Sequence, residues 1–389
     1  MSKHSFQACR LPVALVLATA LLGACASKPN DLRNPHESIA AFAEKSYQSP
    51  QHAPSQGWDA AFTVAEQPVD VSWLAPAQAS AAAPLVVYLP GLGEGASAGL
   101  QWRRTWAEAG YAVVSIQPQE YGRAVYSSSE AKAGTFRGIA QRAYSDKALK
   151  ARIAVVQQVL NELRVRGQAS DPQVAGVDWN NVVIAGYDLG AQTAAALAGD
   201  SLLKGWQPKA VILLSPYVGP GSPVARVDVP LLSVTGPHDE DPFSWVDSPE
   251  RRLAMWRGNP NPGSYQLISK NAQHQLFSGS LDELPGPDEG GHPRPQRDAD
   301  LAPGAGGRDG TSGIPGADGG EAPKRRPRPD TMGHGQDSMN WFDARQIANV
   351  QTVSTAFLDA TVRRSPEAKT WLGQDATQAI GQAATLEVR

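Results

Sequence analysis

The residues whose types and spacing most suggest chemistry are Gly186-Tyr187-Asp188-Leu189-Gly190. An apolar run, NVVIAG, leads into this pentapeptide, and a small-residue run, GAQTAAALAGD, leads out of it. This is the G-x-S-x-G frame of a nucleophile elbow, with Asp where serine would stand. Such a turn holds its central residue at positive φ, which Asp tolerates better than most non-glycine residues. Asp188 therefore fits the backbone whether or not it reacts. A carboxylate here could attack carbon, serve as a base or charge partner, or mark a lost serine.

A nucleophile needs a base and a group that orients the base. VPLLSVTG is followed by PHDEDPF, which puts Asp239 three residues past Gly236. SYQLISK is followed by NAQHQLFSG, which puts His274 at the end of the last strand of this series. Asp188, Asp239 and His274 thus come in the order nucleophile, acid, base. Asp241 is a second candidate for the acid, and the turn position favours Asp239. LPGLGEGAS, residues 89–97, follows the first buried strand. The backbone N–H groups of Leu92 and Leu189 could converge there on a developing oxyanion. His238, Asp239, Glu240 and Asp241 could also suggest a metal site, but no second cluster with ligand spacing accompanies them. The expectation is no metal and no cofactor. Trp102, Trp106 and Trp245 could line the cleft or fill the core, and core is the favoured reading.

The elements that must position these residues are legible as runs. Ala60–Glu66 and Val69–Trp73 suggest a leading hairpin. PLVVYLP, YAVVSIQP, NVVIAG, KAVILLSP and VPLLSVTG are apolar throughout, as strands buried on both faces are. Helical segments are expected near 98–109, 145–164 and 188–198, with Gly110 as a fitting C-cap. SPERRLAMWRG reads as helix and SYQLISK as strand. The alternation predicts an α/β fold with a mainly parallel, doubly wound sheet flanked by helices, its ligands beyond the strands' carboxyl ends. Residues 285–330 contain 11 Gly and 9 Pro. This composition reads as a disordered insertion, bounded at 281–338, which also holds His292 and His334. IANVQTVSTAFLDATV then resumes a helix with Ile347, Val350, Phe357 and Leu358 on its apolar positions.

These motifs together resemble the α/β-hydrolases, nearest in style to lidless bacterial esterases and dienelactone-hydrolase-like proteins. VVYLPGLGEGAS is similar to their oxyanion loop, AGYDLGAQTA to their elbow, VTGPHDEDPF to their acid loop and NAQHQLFSG to their histidine loop. The resemblance covers residues 60–280 and 341–372. It implies an α/β-hydrolase fold with no cap domain, over residues 58–372, and a hydrolase of small esters or related compounds. An Asp nucleophile has precedent in the haloalkane dehalogenases and epoxide hydrolases of this fold. Their companion features are missing: Leu189 stands where they carry Trp, Pro90-Gly91-Leu92-Gly93 replaces His-Gly-x-Pro, and 217–228 is too short for their cap. Those two activities therefore rank below a catalytically inactive binding scaffold as the alternative.

The N-terminus carries Lys3, His4 and Arg10, then an apolar stretch, residues 11–22. That stretch is shorter than the ~20 residues of a membrane span. Leu22-Gly23-Ala24-Cys25 is similar to the lipobox of bacterial lipoproteins, which implies a signal peptide over 1–24 and acylation of Cys25. Residues 25–57 read as a tether and 373–389 as a tail. The implied place is the bacterial envelope, on the outer membrane facing the periplasm. The only other cysteine is Cys9, so the mature fold would lack a disulfide. A formal net charge of −3 and the lack of a basic, aromatic-rich patch argue against nucleic acid. The expected partner is a small-molecule substrate.

Overall fold

A computed structural model describes residues 35–78, 82–199, 205–217, 219, 227–280 and 341–389. The chain divides into Met1–Asn34 and Pro35–Arg389, and the described residues all belong to the second unit. Cys25 and the insertion at 281–338 lie outside them.

After helix α1 (Pro35–Ala43) the chain forms strands β1 (Ser55–Val64), β2 (Gln67–Pro76) and β3 (Ala83–Leu89), then α2 (Leu100–Glu108) and β4 (Ala112–Pro118). Two short helices, α3 (Ser129–Lys132) and α4 (Phe136–Ala143), precede the long α5 (Asp146–Gln168). Then come β5 (Val177–Tyr187), α6 (Leu189–Ala198), β6 (Pro208–Leu214), β7 (Leu231–Thr235) and α7 (Ala254–Gly258). The described chain ends with β8 (Tyr265–Ser269), α8 (His274–Ser278), α9 (Trp341–Thr361), α10 (Pro366–Thr370), α11 (Ala376–Ile380) and β9 (Ala384–Val388).

All nine strands form one sheet in the order β1-β2-β4-β3-β5-β6-β7-β8-β9. Its centre, from β4 through β3 to β8, is parallel, and the pairs at both edges are antiparallel. The central strands are buried on both faces, which is why they read as unbroken apolar runs. In β3, Val86 and Tyr88 face a core shared with α2 and α9, whereas Leu85, Val87 and Leu89 face one shared with α5 and α6. Trp102 and Trp106 are completely buried in the first of these, as expected of core. No helix among the described residues is long and apolar enough to cross a membrane.

Three expectations need correction. Residues 35–57 are not all tether. Ile39 of α1 is buried in the core beside α9, Tyr47 donates to Asp359 at 2.8 Å, and β1 begins at Ser55. These contacts join residues about as far apart as the chain allows, so local composition carries no trace of them. Residues 373–389 are not a tail either: they hold α11 and β9, and β9 covers the outer edge of β8. An open strand edge is a liability that such a strand removes.

The third correction concerns the cap. The segment from 119 to 145 lies over the carboxyl edge of the sheet, with α3 and α4 in it. Val125, Ile139, Ala140, Ala143 and Tyr144 form a separate apolar cluster with Leu92, Leu189, Tyr217 and Phe243. This cover is inserted between β4 and α5 rather than after β6, and its two helices are only four and eight residues long.

Candidate functional site

Five strand ends, those of β3, β5, β6, β7 and β8, build the site. β5 runs into Asp188, whose φ of 50° and ψ of −113° mark a sharp turn into α6. The turn depends on its glycines. A Cβ on Gly190 would stand 1.9 Å from the Leu89 carbonyl oxygen, and one on Gly186 would stand 2.3 Å from that of Gly190. Only bare backbone lets the helix approach β3 and β5 so closely. Ser215 ends β6 in a similar positive-φ turn, at 53°. The Asp188 N–H donates to the Leu214 carbonyl at 3.0 Å and the Ser215 N–H to that of Val234 at 2.7 Å, so both turns are pinned to the sheet.

Asp239 follows β7, and His274 opens α8 after β8. An isolated parallel bridge between His238 and Gln273 ties their loops together. His274 Nδ1 lies 2.7 Å from Asp239 Oδ1. Thr235 donates its hydroxyl to Asp239 Oδ2 at 2.7 Å, and Ser215 donates to Oδ1 at 2.6 Å. Burial works against charge on Asp239, but the bond from His274, the charge of Arg252 and the Ser215 hydroxyl outweigh it and hold its carboxyl below the usual range. Asp241 is occupied differently: its carboxylate accepts the backbone N–H groups of Phe243, Trp245 and Val246 and so staples its own loop. Of the two acids, Asp239 is the one at the histidine.

Asp188 is only 4% exposed. Its two oxygens have different surroundings. Oδ2 accepts the Leu92 backbone N–H at 3.4 Å, a long bond. Oδ1 accepts the Tyr144 hydroxyl at 2.7 Å and lies 3.9 Å from His274 Nε2. Leu189 directly follows as the first residue of α6, where helix N–H groups lack partners within the helix. The predicted residues Asp188, Asp239, His274, Leu92 and Leu189 are thus brought together.

Several residues at the site gave no sequence signal. Arg252 is fully buried. Its Nε is 3.2 Å from Asp239 Oδ1 and its Nη1 is 3.9 Å from Asp188 Oδ1. It also donates to the Asp239 and Ser215 backbone carbonyls at 3.0 and 2.7 Å. Burial opposes its charge, but Asp239 and Asp188 raise its affinity for the proton. In SPERRLAMWRG nothing distinguishes it from its exposed neighbour Arg251. Tyr144 comes from the cover, and burial first, then the charge of Asp188, push its phenol well above the usual value. Its ring packs against Tyr217 and Trp245. The indole N–H of Trp245 is buried with no hydrogen-bond partner among the described residues. Tyr187, inside the elbow, donates to the His274 carbonyl at 3.1 Å.

Glu94 lies in the loop that carries Leu92. It accepts the Gly91 N–H at 2.8 Å and the Ser280 hydroxyl at 3.3 Å. Burial pushes its carboxyl up to about 7, with the charge of Asp188 adding to the effect and the Gly91 bond opposing it. A cleft of about 360 Å³ opens between this loop and the cover, walled by Leu92, Tyr121, Val125, Ile139 and Ala143. A second, of about 550 Å³, touches His274 from the side of His238, Glu240 and Asn271. Among the described residues no three His, Cys, Asp or Glu side chains are grouped to hold a metal ion. No protein-family model matches the chain, and no curated protein matches it either.

Proposed function

We propose that the protein is an α/β-hydrolase-type enzyme that cleaves a small electrophile through a covalent ester on Asp188. The nine-stranded, mostly parallel sheet is compatible with that fold. The observation that carries the reading is the division of labour between the two oxygens of Asp188. One lies on a backbone N–H of the loop after β3, and the other lies between a tyrosine hydroxyl and the free nitrogen of a histidine.

The chemistry follows from that division. Attack on an ester carbonyl by a carboxylate would give a reactive anhydride, so the favoured target is a saturated carbon bearing an oxygen leaving group. An epoxide is the simplest case. Oδ1 forms the new C–O bond while the ring C–O bond breaks, and Tyr144 gives its proton to the departing oxygen. His274 then takes a proton from water through Nε2, with Nδ1 oriented by Asp239. The hydroxide adds to Cγ of Asp188, and the resulting oxyanion on Oδ2 is held by the Leu92 and Leu189 N–H groups. Collapse expels the second alkoxide, which takes the proton from His274. The carboxylic acid left on Asp188 returns a proton to Tyr144. The sum is epoxide plus water to diol. Known enzymes with an Asp nucleophile take substrate donors from a cap after β6, where this chain has too few residues for one. The cover after β4 supports the reading instead, because it brings Tyr144.

A binding scaffold is the second reading. It is favoured by the deep burial of Asp188 and by the hydrogen bonds that both oxygens already accept. Single turnover of 1,2-epoxybutane in oxygen-18 water separates the two. The proposal expects one labelled oxygen in Asp188 after one turnover. Turnover with label in the diol alone would replace it with direct attack of water, and no turnover of epoxides, esters or haloalkanes would favour the scaffold. The lipid anchor at Cys25 is part of the same proposal and rests on Leu22-Gly23-Ala24-Cys25. Cys25→Ala should release the protein from membranes, and continued association would refute the anchor.

A further inference from the structure

Arg152 of α5 is a buried cation, 4% exposed, that forms no ion pair with a described carboxylate. Burial draws its guanidinium down to about 10. A buried charge without an ion-pair partner is expensive, the charge of Glu120 offsets only part of the effect of burial, and an apolar side chain of similar volume would avoid the cost. What a guanidinium offers instead is a planar fork of donors.

Each of its three nitrogens donates a hydrogen bond. Nη1 donates to the Ala143 carbonyl at 2.6 Å, Nη2 to Gln192 Oε1 at 2.7 Å and Nε to Thr193 Oγ1 at 2.8 Å. The guanidinium also lies over the Tyr121 ring, 5.1 Å from its centroid. Ala143 is the last residue of α4, where a helix end favours positive charge. Gln192 in turn donates through Nε2 to the Tyr144 carbonyl at 3.2 Å. Gln192 and Thr193 belong to α6, the helix that begins directly after Asp188. These bonds form a closed circuit: Asp188 to α6, α6 through Gln192 and Arg152 to residues 143 and 144, and Tyr144 back to Asp188 through its hydroxyl.

We infer that Arg152 is a positioning residue that fastens the cover to the elbow helix and so sets the Tyr144 hydroxyl on Asp188. Its catalytic consequence rests on the function proposed above, but the placement of Tyr144 does not. The circuit explains why the position needs an arginine: a lysine keeps the charge but cannot reach three acceptors from three directions.

The test is an alkaline absorbance titration of the full chain, comparing wild type, Arg152→Met, Arg152→Lys and Arg152→Met with Tyr144→Phe. In the wild type Tyr144 is shielded by burial and faces Asp188, Asp241 and Arg252. Both Arg152 variants should show one additional tyrosine titrating near the ordinary value of about 10, and the double variant should lack it. With epoxide, kcat should fall about tenfold while KM stays within about twofold. Should Arg152→Met fail to fold, Gln192→Leu removes the bond to Tyr144 while keeping Arg152, and it should expose the same tyrosine. Equal tyrosine titrations in wild type and variants overturn the inference. An additional tyrosine that the Tyr144→Phe double variant lacks, with no turnover in any form, wild type included, leaves Arg152 as positioner and removes the proposed enzyme.

Discussion

Two buried aspartates have the same kinds of neighbour and are held differently. Asp359, in α9, accepts the hydroxyls of Tyr47 and Tyr111 at 2.8 and 2.7 Å and the Arg363 guanidinium at 2.7 Å. Asp188 has a tyrosine hydroxyl at 2.7 Å, a backbone N–H at 3.4 Å, and an arginine and a histidine each at 3.9 Å. Asp359 lies within a regular helix, one turn before its arginine, and every contact is short. Asp188 lies at φ 50° on a turn. Burial, tyrosine and arginine are therefore common to a structural staple and to the proposed reactive site. The difference is that Asp359 is saturated in relaxed backbone, whereas Asp188 has one short bond, three looser contacts and local strain.

The comparison predicts opposite behaviour on substitution. Asp188→Asn should lower turnover of a competent substrate on the order of 10³-fold or more, as loss of a nucleophile does. It should leave the unfolding midpoint in urea unchanged or raised, because strained, charged sites are held at a cost to stability. A large loss of stability would mean that Asp188 is a staple like Asp359. Asp359→Ala should do the reverse. Removing it leaves two buried hydroxyls and a guanidinium without their acceptor, at about 3 kcal/mol, while kcat of the folded protein stays within about twofold. Urea unfolding beside steady-state kinetics reads both quantities.

Glu94 gives a smaller, pH-dependent effect. Its folded value is raised from 4.5 to about 7, so the folded protein binds this proton more tightly than the unfolded chain does. The associated stability is complete below about 4.5 and is lost as pH rises through about 7. At about 1.4 kcal/mol per pH unit, partial exposure reduces the loss to about 1–2 kcal/mol. Glu94→Gln cannot ionise, so its stability relative to wild type should rise by that amount between pH 5 and pH 8. Parallel pH curves would show that Glu94 does not hold its proton.

The same comparison shows what could be read from sequence. The Asp188 frame was legible because a sharp turn between a buried strand and a packed helix needs glycine at 186 and 190. Asp239 and His274 were legible because residues just past parallel strands share one edge. Asp359 was not, since its partners Tyr47 and Tyr111 are contributed by segments hundreds of residues earlier, and no local pattern records such a bond. Arg252 was hidden for a related reason: RR within a short helical run does not say which arginine turns inward. Tyr144 was hidden because it caps a short helix and its hydroxyl meets an aspartate 44 residues later, a contact that no local pattern records. β9 is an edge strand of five residues, and only its pairing with β8 identifies it.

The central claim is that Asp188 carries a covalent ester that His274 helps to hydrolyse. The most direct measurement is the intact mass of His274→Gln after incubation with 1,2-epoxybutane, followed by peptide mapping. The account predicts a stable gain of one epoxide mass, located on Asp188 and absent from the double variant with Asp188→Asn. No adduct on Asp188 in a folded His274→Gln protein, while the wild type turns the epoxide over, would contradict it.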